Sequence, residues 1–415
     1  MKSFCKPFDK SILHFDGDSF FASVEQALDY RLKGKILVTG GERGAITSAS
    51  IEAKKMGIGR GISFKEAKNI CPELIILPGN YLAYSIFAKR MYSLVREFAP
   101  LVEEYSIDEC FADITGLENR YGISREDLAI RIKKKLESSL GITFGVGMGP
   151  SKTLAKIASK YRKPGGFTSI NEQNYKFFLK SMPIKKVWGI GNGIGNKLEK
   201  IGINTAFDFI NREDLFLIEN SIHRPYRDLK YELMGFSVLP VTEYHKIPKS
   251  IIKSRTFHKP SKVRAYIYSR LSKNVEVACA KLRRDGLKVK KFCFYLKTQD
   301  FTYDSMDICL PTSTSSPIKI MNWIIQKFNN VYRSGIVYRA TGICLTDLES
   351  DGKQLDLFVQ EKQESKKEDI YKCIDKISQK FGDGTVLLGS SMLAHRDSKN
   401  IPEKHLDIPL LGIVR

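Results

Sequence analysis

Two carboxylates, Asp108 and Glu109, stand side by side in "EEYSIDECFADITG", residues 103–116, a stretch that otherwise reads as β-strand. Neighbouring side chains on a regular strand point to opposite faces, so these acids could not share a ligand there. A hairpin turn between "LVEEYS" and "CFADIT" would let both converge on one point. Because two nearby anions raise each other's pKa unless a cation lies between them, the pair predicts a metal site. Mg²⁺, which takes oxygen ligands, is the expected ion.

A third acid, Asp16, ends an apolar strand in the stretch "HFDGDSFF". The small residue Gly17 follows and leaves its backbone carbonyl accessible as a further oxygen ligand. Asp18 is a weaker candidate because it is well placed to cap the following helix. Asp16, Asp108 and Glu109 would hold two metal ions that activate an attacking oxygen and stabilise a leaving one in phosphoryl transfer. Spacing alone favours ordinary surface acids, so this hypothesis needs support from the rest of the chain.

Two glycine-rich stretches could be mistaken for nucleotide-binding motifs. "GVGMGPSKT", residues 145–153, is not a P-loop because Ser151 stands where that motif requires glycine, which argues against an ATPase. "GIGNGIGNKL", residues 189–198, is not a dinucleotide fingerprint because Ile194 replaces the third glycine. It predicts a helix-hairpin-helix turn whose backbone N–H groups approach a DNA phosphate, with a purely structural turn as the alternative. The predicted DNA-binding residues are Gly189, Gly191, Gly193, Gly195 and Lys197.

The hydrophobic pattern predicts the elements that would position these residues. The strand before Asp16 turns helical near Ser19, and a second helix runs from Tyr81 to Phe98. Residues 31–78 are rich in glycine and predict a small subdomain inserted into a larger one. From there, alternating strands and helices predict an α+β sheet domain, followed by a mainly helical part that begins near Asn171.

Residues 251–350 predict a separate domain with the split order β-α-β-β-α-β. Its predicted elements are strand 251–257, helix 261–284, strands 289–297 and 303–310, helix 316–332 and strand 336–346. Ser261 suits the N-cap of the first helix, and Gly286 suits its exit. The segment holds 18 Lys and Arg against 7 Asp and Glu, a balance of +11. A solvated charged face is the ordinary explanation, but this concentration favours a surface that faces phosphates.

The composition of the 415-residue chain limits its class. The formal net charge of +21, from 67 Lys plus Arg against 46 Asp plus Glu, points to a polyanionic partner. No apolar run is long enough to span a membrane, and charges interrupt the N-terminus too early for a signal peptide. We therefore expect a soluble cytoplasmic protein with no membrane partner. The eight cysteines form no C-x-x-C pair, which favours buried reduced thiols.

Together these stretches resemble the Y-family of DNA polymerases, which copy damaged templates. "FDGDSFFASVEQ" is similar to the family's first metal motif, "YSIDECFADITG" to its second, and "GVGMGPSKTLAKIASKYRKPGG" to the palm segment that follows. "VWGIGNGIGNKL" is similar to the DNA-binding hairpin of the thumb. The resemblance covers nearly the whole chain and implies an α+β multidomain fold shaped like a right hand, with a β-α-β-β-α-β little finger. The implied domains are an α/β palm at 1–30 and 79–170, small fingers at 31–78, a helical thumb with the helix-hairpin-helix at 171–240, a linker at 241–250, the little finger at 251–350 and a tail at 351–415.

The resemblance also implies a catalytic centre. Asp16, Asp108 and Glu109 would bind two Mg²⁺ ions with the help of the Gly17 carbonyl. Phe21 aligns with the steric gate, an aromatic ring that lies where the 2′-hydroxyl of a ribonucleotide would go. An ordinary core phenylalanine is the alternative for Phe21.

Two lysines align with positions that contact the incoming triphosphate. Lys163, before Pro164, matches a lysine in the family. Lys54 falls where many members carry Arg, and a lysine cannot make the bidentate contact of Arg with phosphate. Ile51 falls where many members carry Tyr, so a triphosphate role is not carried over to it.

One branch of the family agrees with these departures. "SIEAK", "IIKSRTF" near residue 251 and "VWGIG" are similar to the UmuC-type catalytic subunit of bacterial DNA polymerase V. That similarity would imply UmuD-like accessory subunits. A polymerase IV-like enzyme is the alternative within the family.

The tail contains "QLDLF", residues 354–358, which resembles a bacterial sliding-clamp-binding peptide. Gln354 would enter a small polar pocket, and Leu357 and Phe358 would fill an apolar groove. Leu355 belongs to the same predicted clamp-binding peptide. A hydrophobic cluster at a strand edge is the alternative. Farther along, a helix is predicted near residues 366–381.

The resemblance implies a template-directed DNA polymerase of low fidelity that acts in translesion synthesis, DNA repair and the SOS response. Primer–template DNA and dNTPs would be its partners, and a primer 3′-hydroxyl would attack the α-phosphate of the dNTP. Positioning and charge neutralisation by two ions would supply the chemistry, so no side chain need act as nucleophile. One rival is a metal-dependent nuclease, in which an aromatic gate at Phe21 would have no purpose. Another is a DNA-binding protein with an inactive palm, against which the intact acids argue.

Overall fold

The chain folds into two compact units. The computed structural model describes residues 6–41, 44–212, 225–243, 247–350, 361–382 and 384–399. The boundary between the units falls after residue 244. Over these ranges, no helix combines the length and the apolar character needed to cross a lipid bilayer.

The first unit is built on a five-stranded sheet. Its strands are β1 (Ile12–Gly17), β5 (Leu101–Ser106), β6 (Glu109–Asp113), β7 (Phe144–Gly149) and β8 (Phe167–Ser169). They lie in the order β5-β6-β1-β7-β8, and every neighbouring pair is antiparallel except β7 and β8. The two acidic stretches of the sequence therefore lie on neighbouring strands at the centre of the sheet.

Helices cover both faces of this sheet. One face packs against three helices in the largest core of the unit, to which alternate strand residues such as Phe15 and Val146 contribute. These helices are α1 (Phe20–Leu28), α4 (Tyr81–Arg96) and α6 (Arg125–Leu140), with the short α5 (Leu117–Tyr121) before the last. The opposite face carries α7, Lys152–Tyr161. The alternating pattern predicts a sheet domain with helices packed on it, and the structure confirms this.

The glycines of "GVGMG" explain how α7 approaches the sheet. Gly145, Gly147 and Gly149 lie on β7 and face α7, not a phosphate loop. A Cβ atom at Gly147 would overlap the Ala155 carbonyl oxygen and the Ser159 nitrogen. The missing side chains let the backbone of α7 lie directly on the strand. This contact determines the distance between α7 and the sheet at β1, the strand next to β7.

A second, smaller sheet lies within residues 37–78. Its strands are β2 (Leu37–Gly40), β3 (Ile46–Ala49) and β4 (Ile75–Pro78), in the order β3-β2-β4. Two short helices, α2 (Ile51–Lys55) and α3 (Phe64–Ile70), pack on it. The glycine-rich insertion thus has a sheet and a hydrophobic core of its own.

Over residues 171–212 and 225–243 the first unit is mainly helical, as the sequence predicts from Asn171 onward. The helices described in these ranges are α8 (Tyr175–Ser181), α9 (Asn192–Lys200), α10 (Ala206–Asn211) and α11 (Pro225–Leu233). They share a core with the outer side of α7, through residues such as Leu154. This part of the chain is therefore packed directly on the helix that covers the central strands.

Glu232 near the end of α11 joins the helical part to α7. Its carboxylate is fully buried and accepts backbone N–H bonds from Thr153 at 3.0 Å, Val238 at 2.8 Å and Leu239 at 2.9 Å. Burial raises the pKa of Glu232, and the three N–H donors act against that rise. One side chain thus accepts hydrogen bonds from backbone N–H groups both at the start of α7 and in the turn after α11.

The second unit confirms the predicted split order. Its elements are β9 (Ile251–Ser261), α12 (Arg264–Arg284), β10 (Leu287–Thr298), β11 (Tyr303–Thr314), α13 (Pro317–Val331) and β12 (Tyr338–Ser350). The strands form an antiparallel sheet in the order β11-β10-β12-β9. Alternate residues of β10, namely Phe292, Phe294 and Leu296, are buried against α12 and α13. Because every second residue of the strand is buried on one face, its hydrophobic residues alternate with more polar ones, and this alternation is visible in the sequence.

One terminal assignment in this unit is wrong. Ser261 does not cap α12; it ends β9, and Val263 is the N-cap residue without a side-chain hydrogen bond. The Ser261 hydroxyl accepts from the Val263 N–H at 3.1 Å instead, which closes a local turn. Gly286 does follow α12 with φ of 65°, a conformation that glycine adopts readily.

The C-terminal helices add a further layer to the second unit. They are α14 (Glu361–Phe381) and α15 (Met392–Lys399), of which the sequence predicts only the first. Arg283 of α12 donates two hydrogen bonds of 2.7 Å to the Asp375 carboxylate, and the Ala394 N–H donates to the Ser269 hydroxyl at 3.0 Å. These contacts dock both helices on α12. Residues 354–358, the predicted clamp-binding peptide, lie outside the described ranges.

Candidate active site

Asp16 and Glu109 face each other across the two central strands. They are directly opposed in the antiparallel register of β1 and β6. Opposed residues project from the same face of a sheet, with Cβ atoms about 4.5–5.5 Å apart. His14, two residues before Asp16, contacts α7, so this is the face that α7 covers. The two acids thus lie at the same edge of one face.

Asp108 joins them through the hairpin that the sequence predicts. β5 ends at Ser106 and β6 begins at Glu109, so Asp108 lies in the turn. The Gly17 N–H donates to the Asp108 carbonyl oxygen at 2.9 Å. The Ser106 hydroxyl lies 2.6 Å from Asp108 Oδ1 and 3.4 Å from Glu109 Oε2. The structure therefore gathers the three acids at one end of β1.

α7 faces this group with a row of polar side chains. Lys156 Nζ lies 2.7 Å from Glu109 Oε2, and Lys163 Nζ, just beyond the helix, lies 2.6 Å from Asp16 Oδ1. Lys152 Nζ, one turn before Lys156, is 2.6 Å from a carboxylate oxygen of Glu103. Spacings of four along the helix place Lys152 and Lys156 on the same side. Glu103, Glu109 and Asp16 are thus each paired with an ammonium group.

His14 is buried between β1 and α7 and is neutral. Burial, and then the charge of Lys156, hold the pKa of His14 well below its usual value. The Ser159 hydroxyl donates to the Lys156 carbonyl oxygen at 2.9 Å, so it accepts from His14 Nδ1 at 2.7 Å. His14 Nε2 then carries a lone pair 4.0 Å from Glu109 Oε1. It has no hydrogen-bond partner among the described residues.

An aromatic cluster around the two buried lysines was not predicted from the sequence. Lys156 Nζ lies 4.4 Å from the ring centroid of Tyr105 and 5.6 Å from that of Trp188. Lys152 Nζ lies 4.9 Å from that of Phe111. The Trp188 indole N–H donates to the Tyr105 hydroxyl at 2.8 Å. Such rings stabilise a desolvated cation, which helps to explain how buried lysines stay in place.

Asp18 has a tertiary role, and its predicted capping role is wrong. Ser19 precedes α1 in a left-handed conformation with φ of 50°, and no side chain caps the helix. Asp18 is buried, and its carboxylate accepts from the Thr143 hydroxyl at 3.0 Å and from the Gly165 N–H at 2.7 Å. It also lies 3.4 Å from Lys163 Nζ. Asp18 therefore holds the segment that carries Lys163.

Phe21, on α1, packs against the edge of the main core of the first unit. Its half-buried ring stacks on Tyr84, with centroids 4.3 Å apart and an angle of 9° between the planes. Tyr81 contacts it edge-on at 5.5 Å. The Tyr84 hydroxyl donates to the buried Glu25 at 2.6 Å, which fixes the ring behind Phe21. Phe21 is held rigidly but is not enclosed.

Lys54 belongs to the same electrostatic environment. Partial desolvation lowers the pKa of Lys54, and the charge of Lys163 lowers it further, while Asp18 and Asp16 oppose both effects. Lys54 lies on α2 of the small sheet, remote in sequence from the other residues. The insertion thus places a cation within electrostatic reach of the acids.

The glycine-rich stretch differs in part from its prediction. It is preceded by a short 3₁₀ turn, Ile184–Lys186, so two full α-helices do not flank it. Gly189 has φ of 90°, and Gly191 is the N-cap residue of α9. A Cβ atom at Gly193 would meet nothing within 4 Å, whereas one at Gly195 would overlap Lys185. Three of the glycines thus leave an open backbone surface at the start of α9, which also carries Lys197.

The acids fit a divalent cation in their ligand chemistry. As the side chains lie, no group of three His, Cys, Asp or Glu in the described part of the chain is arranged to hold a metal ion. The oxygens of Asp16 and Glu109 are instead bonded to Lys163 and Lys156. Carboxylate oxygens on adjoining backbones are nevertheless the ligands that Mg²⁺ prefers. These acids are therefore of the ligand type that such an ion takes.

Comparisons with known proteins place the chain in a family. Residues 15–160 match the impB/mucB/samB family, and residues 248–357 match its C-terminal domain. The chain is 32% identical to DNA polymerase IV of Streptococcus pyogenes serotype M1, over 82% of this chain and 94% of that protein. It is 29% identical to DNA polymerase IV of Pelotomaculum thermopropionicum, over 92% and 95%. These relatives carry the name of the polymerase IV-like alternative and not that of polymerase V.

Solved structures agree in fold. A chimera of the Y-family DNA polymerases Dbh and Dpo4 matches with a TM-score of 0.68 and 24% identity, over 81% of this chain and 98% of the chimera. A Dbh ternary complex matches with a TM-score of 0.56 and 25% identity, over the same shares. The matched families, the relatives and the gathered acids lead to one conclusion: this chain belongs to the impB/mucB/samB family and is a DNA-directed DNA polymerase.

Proposed function

We propose that the chain is a low-fidelity translesion polymerase that uses two Mg²⁺ ions held by Asp16, Asp108 and Glu109, with the Gly17 carbonyl as a further ligand. The observation that carries this proposal is the direct opposition of Asp16 and Glu109 in the register of β1 and β6, with Asp108 in the adjoining hairpin turn. When bound, the ions would neutralise phosphate charge and align the attacking and leaving oxygens. The reaction is transfer of a dNTP nucleotide to a primer 3′-hydroxyl.

Two lysines are suited to bind the triphosphate of the incoming nucleotide. Lys163 is bonded to Asp16 and held near Asp18, so its ammonium is already at the acids. Lys54 approaches the same acids from the small sheet. A compact ammonium contributes point charge to a polyphosphate. Both residues would orient the dNTP, and neither is asked to act as a nucleophile.

Phe21 is suited to exclude ribonucleotides. Its ring is braced from behind by Tyr84, whose position Glu25 fixes by a hydrogen bond. A braced ring cannot retreat from an added hydroxyl, so a sugar with a 2′-hydroxyl would be rejected by overlap. The rigidity of the stack supports this role over that of an ordinary core residue.

Primer–template DNA would contact both units. In the first, the open backbone at Gly189, Gly191 and Gly193 allows close approach of a phosphate, as a helix-hairpin-helix does, and Lys197 lies on the same helix. Gly195 contacts Lys185 and so serves packing. In the second unit, the balance of +11 over residues 251–350 supports contact with the DNA backbone.

We assign the parts of the chain as the resemblance implies. The palm is 1–30 and 79–170, the fingers 31–78, the thumb 171–240, the linker 241–250 and the little finger 251–350. Small fingers apply little pressure to the nascent base pair, which would permit copying of damaged templates at low fidelity. An SOS role in the cytoplasm accords with this activity.

Further partners are proposed on sequence alone. "QLDLF" at residues 354–358 would bind a bacterial sliding clamp. Within the family, the names of the relatives favour polymerase IV-like physiology, whereas "SIEAK" and "VWGIG" favour a UmuC-type enzyme with UmuD-like subunits. Primer extension with and without added UmuD-like protein distinguishes the two.

The test is extension of a primer on a template by purified protein with Mg²⁺ and dNTPs. Asp108→Ala should abolish extension, and the matched control Asp300→Ala, at an exposed turn of the second unit, should extend as wild type does. Equal extension by wild type and Asp108→Ala would overturn the proposed site. Degradation of the DNA without dNTPs would favour the nuclease instead.

A further inference from the structure

The sheet of the second unit has one face covered by α12 and α13. The other face, which we call the open face, carries alternate residues of the four strands. Cys293 of β10 and Cys344 of β12 lie on it directly opposite each other in the antiparallel register. Both are half-buried, and Cys309 of β11 is exposed on the same face. The expectation of buried thiols therefore fails for these three cysteines.

The register determines which cysteines can bond. Directly opposed residues have Cα atoms about 4.5–5.5 Å apart, within the range of about 4.4–6.8 Å that disulfides span. Cys309 is opposed to Lys291, and the residue opposed to Cys293 is Asp307, so Cys309 is only a diagonal neighbour of Cys293. Diagonal neighbours are about 7–8 Å apart, too far to bond without movement of the backbone. Among the described cysteines, no other pair is directly opposed in a strand register.

We propose that Cys293 and Cys344 form a modification site: an intramolecular disulfide generated by a hydroperoxide, which links the two central strands of the second unit. This inference does not depend on the polymerase site or on DNA binding. It concerns a site that neither the family motifs nor the first unit contains.

The chemistry balances with hydrogen peroxide as the oxidant. One cysteine thiolate attacks a peroxide oxygen, the O–O bond breaks, and a sulfenic acid and one water form. The thiolate of the second cysteine then attacks that sulfur, the S–S bond forms, and the hydroxyl leaves as a second water. Two thiols lose two electrons in total, and the peroxide gains them.

The surroundings of Cys293 and Cys344 determine the rate at which the disulfide forms. Burial raises the pKa of both thiols, and the nearby carboxylate of Asp307 raises it further. Little thiolate is therefore present near neutral pH, and the linkage should form faster as the pH rises. The disulfide would close a loop through β11, α13 and the start of β12, so it restricts the unfolded chain and stabilises the second unit.

The test uses the full-length protein treated with hydrogen peroxide, then denatured, alkylated, digested and analysed by mass spectrometry. We expect a peptide that joins Cys293 to Cys344, while Cys309 is oxidised or alkylated singly. Cys344→Ser should remove that peptide, and the matched control Cys309→Ser should retain it. Recovery of Cys293 and Cys344 as free thiols when Cys309 is oxidised, or their linkage to other cysteines, would overturn the proposal.

A second measurement does not require a variant to fold. Thermal unfolding of oxidised wild type should show a higher midpoint than the reduced protein, and a reducing agent should reverse the shift. A midpoint that oxidation leaves unchanged, or a shift that the reducing agent does not reverse, would overturn the proposal.

Discussion

Among single residues, the ion pair of Lys156 and Glu109 holds one of the three acids in place. Lys156 is buried, and its ammonium lies 2.7 Å from Glu109 Oε2 and 4.4 Å from the ring centroid of Tyr105. Removal of one partner of a buried ion pair leaves an uncompensated charge in the protein interior. This costs more stability than replacement of both partners by apolar residues. Lys156 therefore acts as a positioning residue for a carboxylate proposed to bind metal.

The first prediction concerns this lysine. Lys156→Met keeps the apolar stem and removes the charge, so we expect single-turnover nucleotide incorporation to fall about 10- to 100-fold, the usual effect of losing a residue that orients a metal ligand. Lys156→Arg should retain more activity because it keeps the cation. Lys160→Met, at an exposed position of the same helix, is the matched control. Equal incorporation by Lys156→Met and Lys160→Met would refute the positioning role.

Phe21 carries the second prediction. Phe21→Ala should admit ribonucleotides, so the preference for dNTP over rNTP in kcat/KM should drop about 10- to 100-fold, or about 1.4–2.8 kcal/mol. Tyr81→Phe keeps an edge-on ring and should leave the preference unchanged. An unaltered preference in Phe21→Ala would remove this residue from the gate role.

Among helices and strands, the sequence could predict those elements that a local hydrophobic pattern determines. The hairpin at Asp108 could be predicted because two strand-like runs flank a turn. The split order of the second unit could be predicted because strand-like and helix-like hydrophobic patterns follow one another along the chain. Asp18 was assigned wrongly because its partners, Thr143 and Gly165, are distant in sequence and outweigh capping. The cluster around Lys156 escaped for the same reason, since Trp188 and Tyr105 come from separate segments.

The packing of α7 on β7 gives the third prediction. Gly147→Ala would place a Cβ atom against the backbone of α7, so the helix must move away from the strand. We expect a loss of about 1–3 kcal/mol in the free energy of unfolding, typical of overpacking, together with reduced incorporation because Lys156 moves with the helix. Urea unfolding measures the first effect and primer extension the second.

Gly193→Ala is the control for that variant. Its Cβ atom would enter open space within α9, where alanine favours helix by up to about 1 kcal/mol over glycine. Stability should therefore hold or rise, while DNA affinity should fall if a phosphate approaches this backbone. A stability loss as large in Gly193→Ala as in Gly147→Ala would contradict the packing argument.

At the scale of the whole molecule, charge governs the encounter with DNA. Each phosphate neutralised by a lysine steepens the salt dependence of binding by about 0.9 in the log–log slope. The second unit supplies +11 of the formal charge of +21 over residues 251–350. DNA affinity should thus fall steeply with salt, and substitutions in this segment should alter the slope.

Lys291 on the open face provides the fourth prediction. Its side chain is exposed, so Lys291→Gln should weaken DNA binding similarly for all sequences and reduce the salt slope by about 1. Lys376→Gln, on the exposed side of α14, is the matched control and should leave the slope unchanged. Fluorescence anisotropy at several salt concentrations measures both, and an unaltered slope for Lys291→Gln would show that the open face does not contact phosphate.

The docking of the C-terminal helices shows what sequence patterns could not reveal. The pattern predicts a helix at 366–381 but not its partner, because Asp375 and Arg283 lie on separate elements. A side chain that bridges two layers has no local signature in the chain. The same holds for Glu232, whose three backbone donors come from two segments.

Binding of Mn²⁺, a spectroscopic substitute for Mg²⁺, tests most directly whether the three acids share metal ions. It can be followed by electron paramagnetic resonance in a complex with a matching dNTP and a primer that lacks its 3′-hydroxyl, so no turnover occurs. Asp16→Asn and Glu109→Gln should each weaken Mn²⁺ binding at least about tenfold relative to wild type. Affinities equal to wild type in both variants would show that Asp16 and Glu109 do not bind the metal ions.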